Sequence, residues 1–408
     1  MATGTILQHR LNNGLKIIGE VNPASKSSAI GFFVKTGSRD ETPKEAGVSH
    51  FLEHMMFKGT PNRSALELTY DLGRIGAQAN AFTSEENTVY YAAVLPEYFR
   101  EMHTILADML RPALDPAEFA TEKNVILEEI ALYQDRPQFY LFERAAADYY
   151  GRHPAGNSVL GSTDSISALT QPEMRAYFER RYAPGNMVLV GAGNFDWELF
   201  LADAERLSGG WQEYAAPRDC PVHRTTPLMK EYRKKGITQS HVVFLTEGAH
   251  AQEDERFALG VLALVLGDST GSKLYWELVD PGLAESADAD NDERDGTGAF
   301  MAYAATSPDK LDLVAEKMRK IISAPLDFTV ADLERAKTKV ISKMVLGGEL
   351  PMGRMMGLGM SWNARRHVQP LRDVIDRVKA ITREEIERTV ARYPLATWSE
   401  FRLVGESA

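Results

Sequence analysis

The sequence predicts an α+β protein made of two homologous half-chains of α/β design, each with an antiparallel-rich mixed sheet and helices packed on one face. Three observations predict this fold class. Strand-like alternation changes to helix-like periodicity several times along the 408 residues. A segment at 209–227, rich in Gly, Pro and Thr, has no period and predicts a linker. Beyond it the order strand, polar loop and helix begins again, which predicts domains at 1–215 and 225–408.

The first half-chain begins with strands. The segment "ILQHRLNNGLKIIGEV" predicts two strands joined by a hairpin turn at Asn13 and Gly14, a pair that suits tight turns. The segment "SSAIGFFVKTGS" predicts another strand. A helix is then expected over about 45–58, and Gly59 is expected to end it.

Helices and strands alternate in the rest of this half. Ser64 and Glu67 have the spacing of a capping box, which predicts a helix in "SALELTYDLGRIG". The segment "QANAFTSEENTVYYAAVL" predicts two strands joined by a polar turn. A helix should begin near Pro116, with Asp115 as its N-cap. The other predicted elements are helices at 96–110, 172–181 and 196–208 and a strand in "NMVLVGAG".

The second half-chain repeats this order. A strand, a polar loop and a helix are predicted in "SHVVFLTEGAHAQEDERFALGVLALVLG", with later helices near 308–323, 330–346 and 382–392. The acidic run "ESADADNDERD" is expected to be a solvated loop; if it faced a cavity, it would favour basic peptides. The glycine-rich "GGELPMGRMMGLG" lacks the Lys-Ser/Thr ending of a phosphate loop and is expected to be a helix turn packed through methionines.

Composition excludes several classes of function. Hydrophobic residues make up 44% and charged residues 25%, the mix of a globular protein with a core. The net charge of −11 argues against nucleic acid or an anionic membrane as a partner. Cys220 is the one cysteine, so no intrachain disulfide is possible. No secretory signal is evident, and the longest apolar run, 257–267, is too short to span a bilayer, so we expect a cytoplasmic protein.

The segment "GVSHFLEHMMFKG" places two histidines and a glutamate among apolar residues. His50 and His54 are four residues apart and share one helical face. Glu53 lies about a hundred degrees round from His54 and approaches the same point from the side. Imidazoles are good zinc ligands, and a nearby carboxylate can take a proton from water. Such a pattern also occurs by chance on surface helices; here the apolar flanks favour a metal site, because a partly buried polar face needs a partner.

A catalytic zinc keeps three protein ligands, so a third must come from elsewhere in the chain. In "EKNVILEEIALY", Glu122 and Glu129 are seven residues apart and lie on one helical face. Glu128 is about a hundred degrees from Glu129 and is expected to face solvent. We therefore predict Glu129 as the third ligand. Glu122 is predicted to lie one layer further away, because metal-bound histidines usually donate their second nitrogen to such a carboxylate.

The sequence resembles the pitrilysin/insulinase-type zinc metallopeptidases with the inverted H-x-x-E-H signature. Within them it is similar to the mitochondrial processing peptidases and their small bacterial relatives. The resemblance covers the first half-chain in "HFLEHMMFKGT" (50–60), "NAFTSEENTVYY" (80–91), "EKNVILEEI" (122–130), "HPAGNSVLGSTDSI" (153–166) and "YAPGNMVLVGAGNFD" (182–196). In the second half-chain it rests on element order and on "GSKLYWELVDPGLAESA" (271–287).

The resemblance implies a fold of the processing-peptidase type and a zinc endopeptidase. Such an enzyme would cleave peptides or unfolded segments inside a closed chamber formed by two chains. It implies one zinc ion per chain, with His50, His54 and Glu129 as ligands. Glu53 would be the general base for the zinc-bound water, and Glu122 would match the family's additional acidic residue near the metal. We predict Glu53 and Glu122 as the catalytic residues.

The segment "NAFTS" would form a sheet edge beside the metal. A substrate peptide could add to this edge as an extra strand, held by main-chain hydrogen bonds. The predicted substrate-binding residues are Asn80, Ala81, Phe82 and Thr83. Asn80 would help to hold the scissile peptide and Phe82 would line a side-chain pocket. The alternatives are a turn asparagine and a cross-strand aromatic.

The sequence departs from the family in the second half-chain. Many relatives carry an Arg and a Tyr there, seven residues apart, that help to bind the substrate carbonyl. Here Val279 or Asp280 occupies the Arg position and Glu285 the Tyr position. We expect a homodimer. The alternatives are a zinc-bearing subunit of a heterodimer whose partner supplies the missing pair, and a non-catalytic assembly subunit.

Overall fold

A computed structural model describes residues 4–224 and 226–405. The chain divides into two compact units, and each contains a segment from the other half of the sequence. The first unit consists of Met1–Ala131, Asn157–Asp219 and Leu346–Pro370, and the second of Leu132–Gly156, Cys220–Val345 and Leu371–Ala408. These units differ from the predicted domains mainly in two segments: 132–156 belongs to the second unit, and 346–370 belongs to the first.

The first unit contains a six-stranded mixed sheet. Its strands are β1 (Thr5–Arg10), β2 (Lys16–Val21), β3 (Ser28–Val34), β4 (Gln78–Thr83), β5 (Thr88–Val94) and β6 (Met187–Gly193). They lie in the order β1-β2-β6-β3-β5-β4. β2 and β6 are parallel, and all other neighbours in this sheet are antiparallel. The antiparallel-rich mixed sheet and the edge position of β4 are as predicted.

The second unit contains a five-stranded sheet with the same connectivity. Its strands are β7 (Met229–Lys234), β8 (Ser240–Glu247), β9 (Ser286–Arg294), β10 (Thr297–Thr306) and β11 (Ser399–Gly405). They lie in the order β7-β11-β8-β10-β9, with β7 and β11 parallel and the other pairs antiparallel. This order repeats β2-β6-β3-β5-β4 of the first sheet, which confirms two half-domains of one design.

Helices fill the segments between the strands. In chain order they are α1 (Val48–Met55), α2 (Ala65–Arg74), α3 (Phe99–Met109), α4 (Pro116–Gln134), α5 (Pro137–Tyr150), α6 (Thr163–Ala168), α7 (Gln171–Arg181), α8 (Trp197–Ser208), α9 (Glu255–Leu266), α10 (Leu311–Ser323), α11 (Val330–Gly347), α12 (Pro351–Arg365), α13 (Leu371–Lys379) and α14 (Arg383–Arg392). None of the helices in the described part of the chain is both long and apolar enough to cross a membrane.

Helices lie on both faces of the first sheet, whereas the prediction placed them on one face. Successive residues of a strand point to opposite faces. Phe32 of β3 lies against the ring of His103 in α3. Its neighbour Phe33 packs in a cluster with Met355 of α12 on the other face. A Cβ on Gly359 would overlap the Phe33 ring, so glycine allows α12 to approach the sheet this closely.

The second sheet is covered in the same way. Val242 of β8 belongs to the core cluster that contains α9 and α10. Its neighbour Val243 packs with Leu141 of α5 in a separate cluster on the opposite face. The two helices with exchanged positions, α5 and α12, therefore fill equivalent places, one on each sheet.

The acidic run is a strand, and the prediction of a solvated loop is wrong. β9 lies at the edge of the second sheet and pairs with β10. Ala287 and Ala289 are buried, whereas Asp288 and Asp290 are exposed. The alternation of small and charged residues gives the strand one buried face, and this outweighs the poor strand propensity of aspartate.

Candidate metal centre

Helix α1 carries the two histidines and begins at Val48, three residues later than predicted. The carboxylate of Glu41 accepts hydrogen bonds from the backbone N–H groups of Gly47 and Ser49, each at 2.7 Å. Gly47 has a φ of 90°, a conformation that favours glycine and turns the chain into the helix. Burial raises the pKa of Glu41 to about 7, even though the hydrogen bonds to Ser49 and Gly47 lower it. A buried carboxylate thus fixes the start of α1.

His50, His54 and Glu129 converge on one point, with ligand atoms that all lie within 4.8 Å of one another. Glu129 Oε2 is 3.8 Å from His50 Nε2 and 3.6 Å from His54 Nε2. These distances are too long for hydrogen bonds. Ligand atoms bound tetrahedrally to zinc at about 2.0–2.2 Å lie roughly 3.3–3.6 Å apart. The donor set and its spacing therefore fit a zinc ion.

The protonation state of His50 suits metal binding. The side chain is buried in α1, and this burial, together with the nearby His54 ring, lowers the pKa of His50 to about 3. The imidazole is therefore neutral, which is the form that binds a metal. Glu128, the acid next to Glu129 on α4, is exposed.

Glu122 contacts the second nitrogen of His54. Its Oε1 lies 2.8 Å from His54 Nδ1, and its Oε2 lies 2.6 Å from Lys58 Nζ. Burial alone would raise the pKa of Glu122, but the contacts with Lys58 and His54 outweigh it and lower the pKa. The ionised carboxylate accepts the Nδ1 hydrogen, so the lone pair of Nε2 faces Glu129. Sequence reasoning missed Lys58, although it follows His54 by four residues.

Thr83 holds the carboxylate of Glu53. Its hydroxyl donates a 2.6 Å hydrogen bond to Glu53 Oε2. Burial raises the pKa of Glu53, opposed by the hydrogen bond from Thr83 and by His54. The sequence assigned Thr83 to substrate binding and did not predict this contact. Only the tertiary pairing of β4 with α1 brings the two side chains together.

The other predicted substrate residues lie along β4. Asn80 Oδ1 accepts a hydrogen bond from the backbone N–H of Ala81 at 2.9 Å. Ala81 and Thr83 share one face of the strand. Phe82 points to the opposite face, where its ring centroid lies 6.2 Å from that of Tyr91. The structure thus places Ala81 and Thr83 on the side of α1, and Phe82 among cross-strand aromatics.

Comparisons with known proteins identify the family. Residues 16–163 match the family described as insulinase, peptidase family M16, and residues 168–340 match the peptidase M16 inactive domain. An uncharacterized zinc protease of Bacillus subtilis is 32% identical over 93% of this chain and 94% of its own length. Another of Mycobacterium tuberculosis is 33% identical over 95% of this chain and 90% of its own length.

The fold also matches a solved structure. The crystal structure of a protease from Helicobacter pylori superimposes with a TM-score of 0.90 at 21% identity, covering 98% of this chain and 99% of that one. The family that the motifs predicted is confirmed. The chain belongs to the insulinase family of peptidases, family M16.

Proposed function

We propose that the chain is a zinc-dependent endopeptidase with His50, His54 and Glu129 as its metal ligands. The observation that carries this proposal is the convergence of their three donor atoms within 4.8 Å. The zinc protease names of the bacterial relatives support it. A zinc ion bound there would polarise the scissile carbonyl and lower the pKa of water.

Glu53 is proposed as the general base. It takes a proton from the attacking water and later passes the proton to the leaving amine. Burial raises the pKa of Glu53 and so makes the carboxylate a stronger base. The hydrogen bond from Thr83 holds Oε2 and leaves Oε1 for the water. Glu122 acts through His54, whose ring it orients.

Substrate binding is proposed at β4. This strand ends its sheet, so an extended peptide can add to it through main-chain hydrogen bonds. The N–H of Ala81 is bonded to the side chain of Asn80. A peptide carbonyl that pairs with Ala81 therefore has to replace the Asn80 oxygen. Such pairing reads little of the substrate's sequence, which suits peptides or unfolded segments.

The test is Glu53→Gln. We expect kcat for a peptide library to fall by at least about a hundredfold, the scale of lost general-base catalysis, while zinc stays near one per chain. Glu128→Gln is the control, because Glu128 is an exposed acid outside the site. A chelator should abolish cleavage and added zinc should restore it. Cleavage by Glu53→Gln at the rate of the unmodified chain would refute the mechanism.

The oligomeric state stays a prediction from the family resemblance. A chamber formed by two copies is the first possibility. Val279 or Asp280 and Glu285 occupy the Arg and Tyr positions, so a second possibility is a heterodimer whose partner supplies that pair. Size-exclusion chromatography with activity assays of the purified chain separates the two. An inactive chain that gains activity with a partner would exclude the homodimer, and zinc near one per chain with chelator-sensitive cleavage would exclude a non-catalytic assembly subunit.

A further inference from the structure

The second unit contains a cavity of about 770 Å³ that is separate from the candidate metal ligands. Its lining comes from three parts of that unit: the start of α5, the turn between β7 and β8, and the adjoining ends of β8, β9 and β10. A volume of this size is typical of sites that hold small molecules or a few residues of a peptide. Polar groups in the lining decide which chemistry it can bind.

A histidine–tyrosine pair forms part of the lining. His241 is only 5% exposed, and its Nδ1 lies 2.8 Å from the hydroxyl oxygen of Tyr303. His241 Nε2 is buried and has no hydrogen-bond partner among the described residues. Burial lowers the pKa of His241, so the ring is neutral and carries one N–H.

Either tautomer of His241 leaves one donor unused. If Tyr303 donates to Nδ1, the hydrogen is on Nε2 and has no acceptor among the described residues. If Nδ1 donates to Tyr303, the hydroxyl hydrogen of Tyr303 is available instead. Buried donors are normally paired. The pair is therefore suited to a ligand that brings an acceptor oxygen.

Cations outnumber carboxylates around the cavity. Arg136, Lys234 and Lys235 line it together with Asp135 and Glu285, a local sum of +1 in a chain whose net charge is −11. Lys234 Nζ lies 3.5 Å from Asp135, but the Asp135 side chain is 84% exposed. Solvent screens such a pair, so it competes weakly with a ligand for the lysine.

We propose that this cavity binds a carboxylate of a peptide, either the C-terminal group or an acidic side chain. A carboxylate supplies acceptor oxygens for the His241–Tyr303 pair and a negative charge for Lys234 and its neighbours. The choice of a peptide as ligand rests on the proposed peptidase function. The site itself lies wholly in the second unit.

The test uses the zinc-loaded Glu53→Gln chain, so that binding is measured without turnover. A fluorescent peptide without Asp or Glu is prepared with a free C-terminus and with an amidated C-terminus, and a third, amidated version carries one internal Glu. We expect at least one carboxylate peptide to bind about tenfold more tightly than the peptide without a carboxylate. The peptide that binds more tightly shows whether the cavity binds the C-terminal carboxylate or the side chain of the internal Glu.

Two sets of changes assign this preference to the cavity. His241→Phe combined with Tyr303→Phe removes both donors, and Lys234→Gln removes a cation. Each should abolish the preference. Arg233→Gln is the matched control: it makes the same charge change one residue earlier on β7, at a 61% exposed side chain outside the lining.

Two results would overturn the proposal. One is equal binding of all three peptides. The other is a preference that survives Lys234→Gln, because the carboxylate would then be bound elsewhere, including at the metal. Lys234→Gln changes a partly exposed lysine and keeps the test decisive if the double variant does not fold. If the unmodified chain is inactive but still prefers carboxylate peptides, the peptidase function is refuted and this site is not. If the unmodified chain is active but shows no preference for a carboxylate, this site is refuted and the peptidase function is not.

Discussion

Removal of the charge on Glu122 should weaken zinc binding, although Glu122 is not a predicted ligand. Glu122 is 3% exposed, and its carboxylate lies 2.8 Å from His54 Nδ1 and 2.6 Å from Lys58 Nζ. Glu122→Gln keeps an acceptor oxygen for the Nδ1 hydrogen but makes the hydrogen bond neutral. Glu122→Ala removes the acceptor and leaves the ring free to rotate.

The size of the effect follows from these contacts. Loss of a residue that orients a metal-bound histidine typically costs 10–100-fold in metal affinity, or about 1.4–2.7 kcal/mol. A charge-assisted hydrogen bond is roughly twice as strong as a neutral one. We therefore place Glu122→Gln near the lower end, at about tenfold, and Glu122→Ala near the upper end, at about a hundredfold.

Competition with a zinc chelator measures these affinities directly. Glu128→Gln, an exposed charge change on the same helix, should bind zinc as the unmodified chain does. Circular dichroism of the metal-free variants shows whether each one folds. An affinity for Glu122→Ala within twofold of the unmodified chain would refute the reasoning, and so would an equal loss in Glu128→Gln.

Three further predictions concern the groups around α1. The raised pKa of Glu41 means that the folded chain holds this proton more tightly than the unfolded chain, so its contribution is full below about pH 4.5 and is lost as pH rises through 7. The contribution of Glu41 to the free energy of unfolding should therefore fall by about 3 kcal/mol over that range. It is measured as the difference in free energy of unfolding between the unmodified chain and Glu41→Gln, and a difference that stays constant with pH would contradict this. Thr83→Val should lower kcat about tenfold with KM unchanged, and Thr83→Ser should restore it; equal rates in both variants would exclude a role for the hydrogen bond. Gly47→Ala should destabilise the fold by roughly 1–3 kcal/mol, because φ is positive and the Cβ would lie 2.5 Å from the carbonyl oxygen of Leu160. Gly73→Ala, at a position in α2 with free space around it, should instead stabilise the fold by roughly 0.5–1 kcal/mol, measured by thermal melts. A stability change of the same sign in both variants would contradict the argument.

Helical spacing accounts for what the sequence could reveal about the site. His50 and His54 share a face because they are four residues apart, and Glu122 and Glu129 share one because they are seven apart. The structure brings these four side chains together. Thr83 gave no such signal, because its hydroxyl meets Glu53 only through the packing of a strand against a helix.

The fold could also be predicted only in part, because tertiary packing leaves little signal in the local sequence. Alternation and turns predict the strands of the first sheet but not their order in the sheet, and the charges of β9 hide its period of two, so that the sequence predicts a loop there. Helix α5 was not predicted, although its sequence, "PQFYLFERAAADYY", is rich in helix formers. Amphipathic patterns identify a buried face without identifying the sheet that covers it. The exchange of α5 and α12 therefore has no signature in local sequence.

That exchange has a consequence for how the chain is made. The first sheet receives α12 only after Arg365 has been synthesised. A growing chain that has reached the predicted linker at 209–227 still has one apolar face of its first sheet uncovered, including Phe33. The ribosome has therefore synthesised nearly the whole polypeptide before α12 can cover the first sheet. A gene truncated at the predicted linker encodes an incomplete first unit.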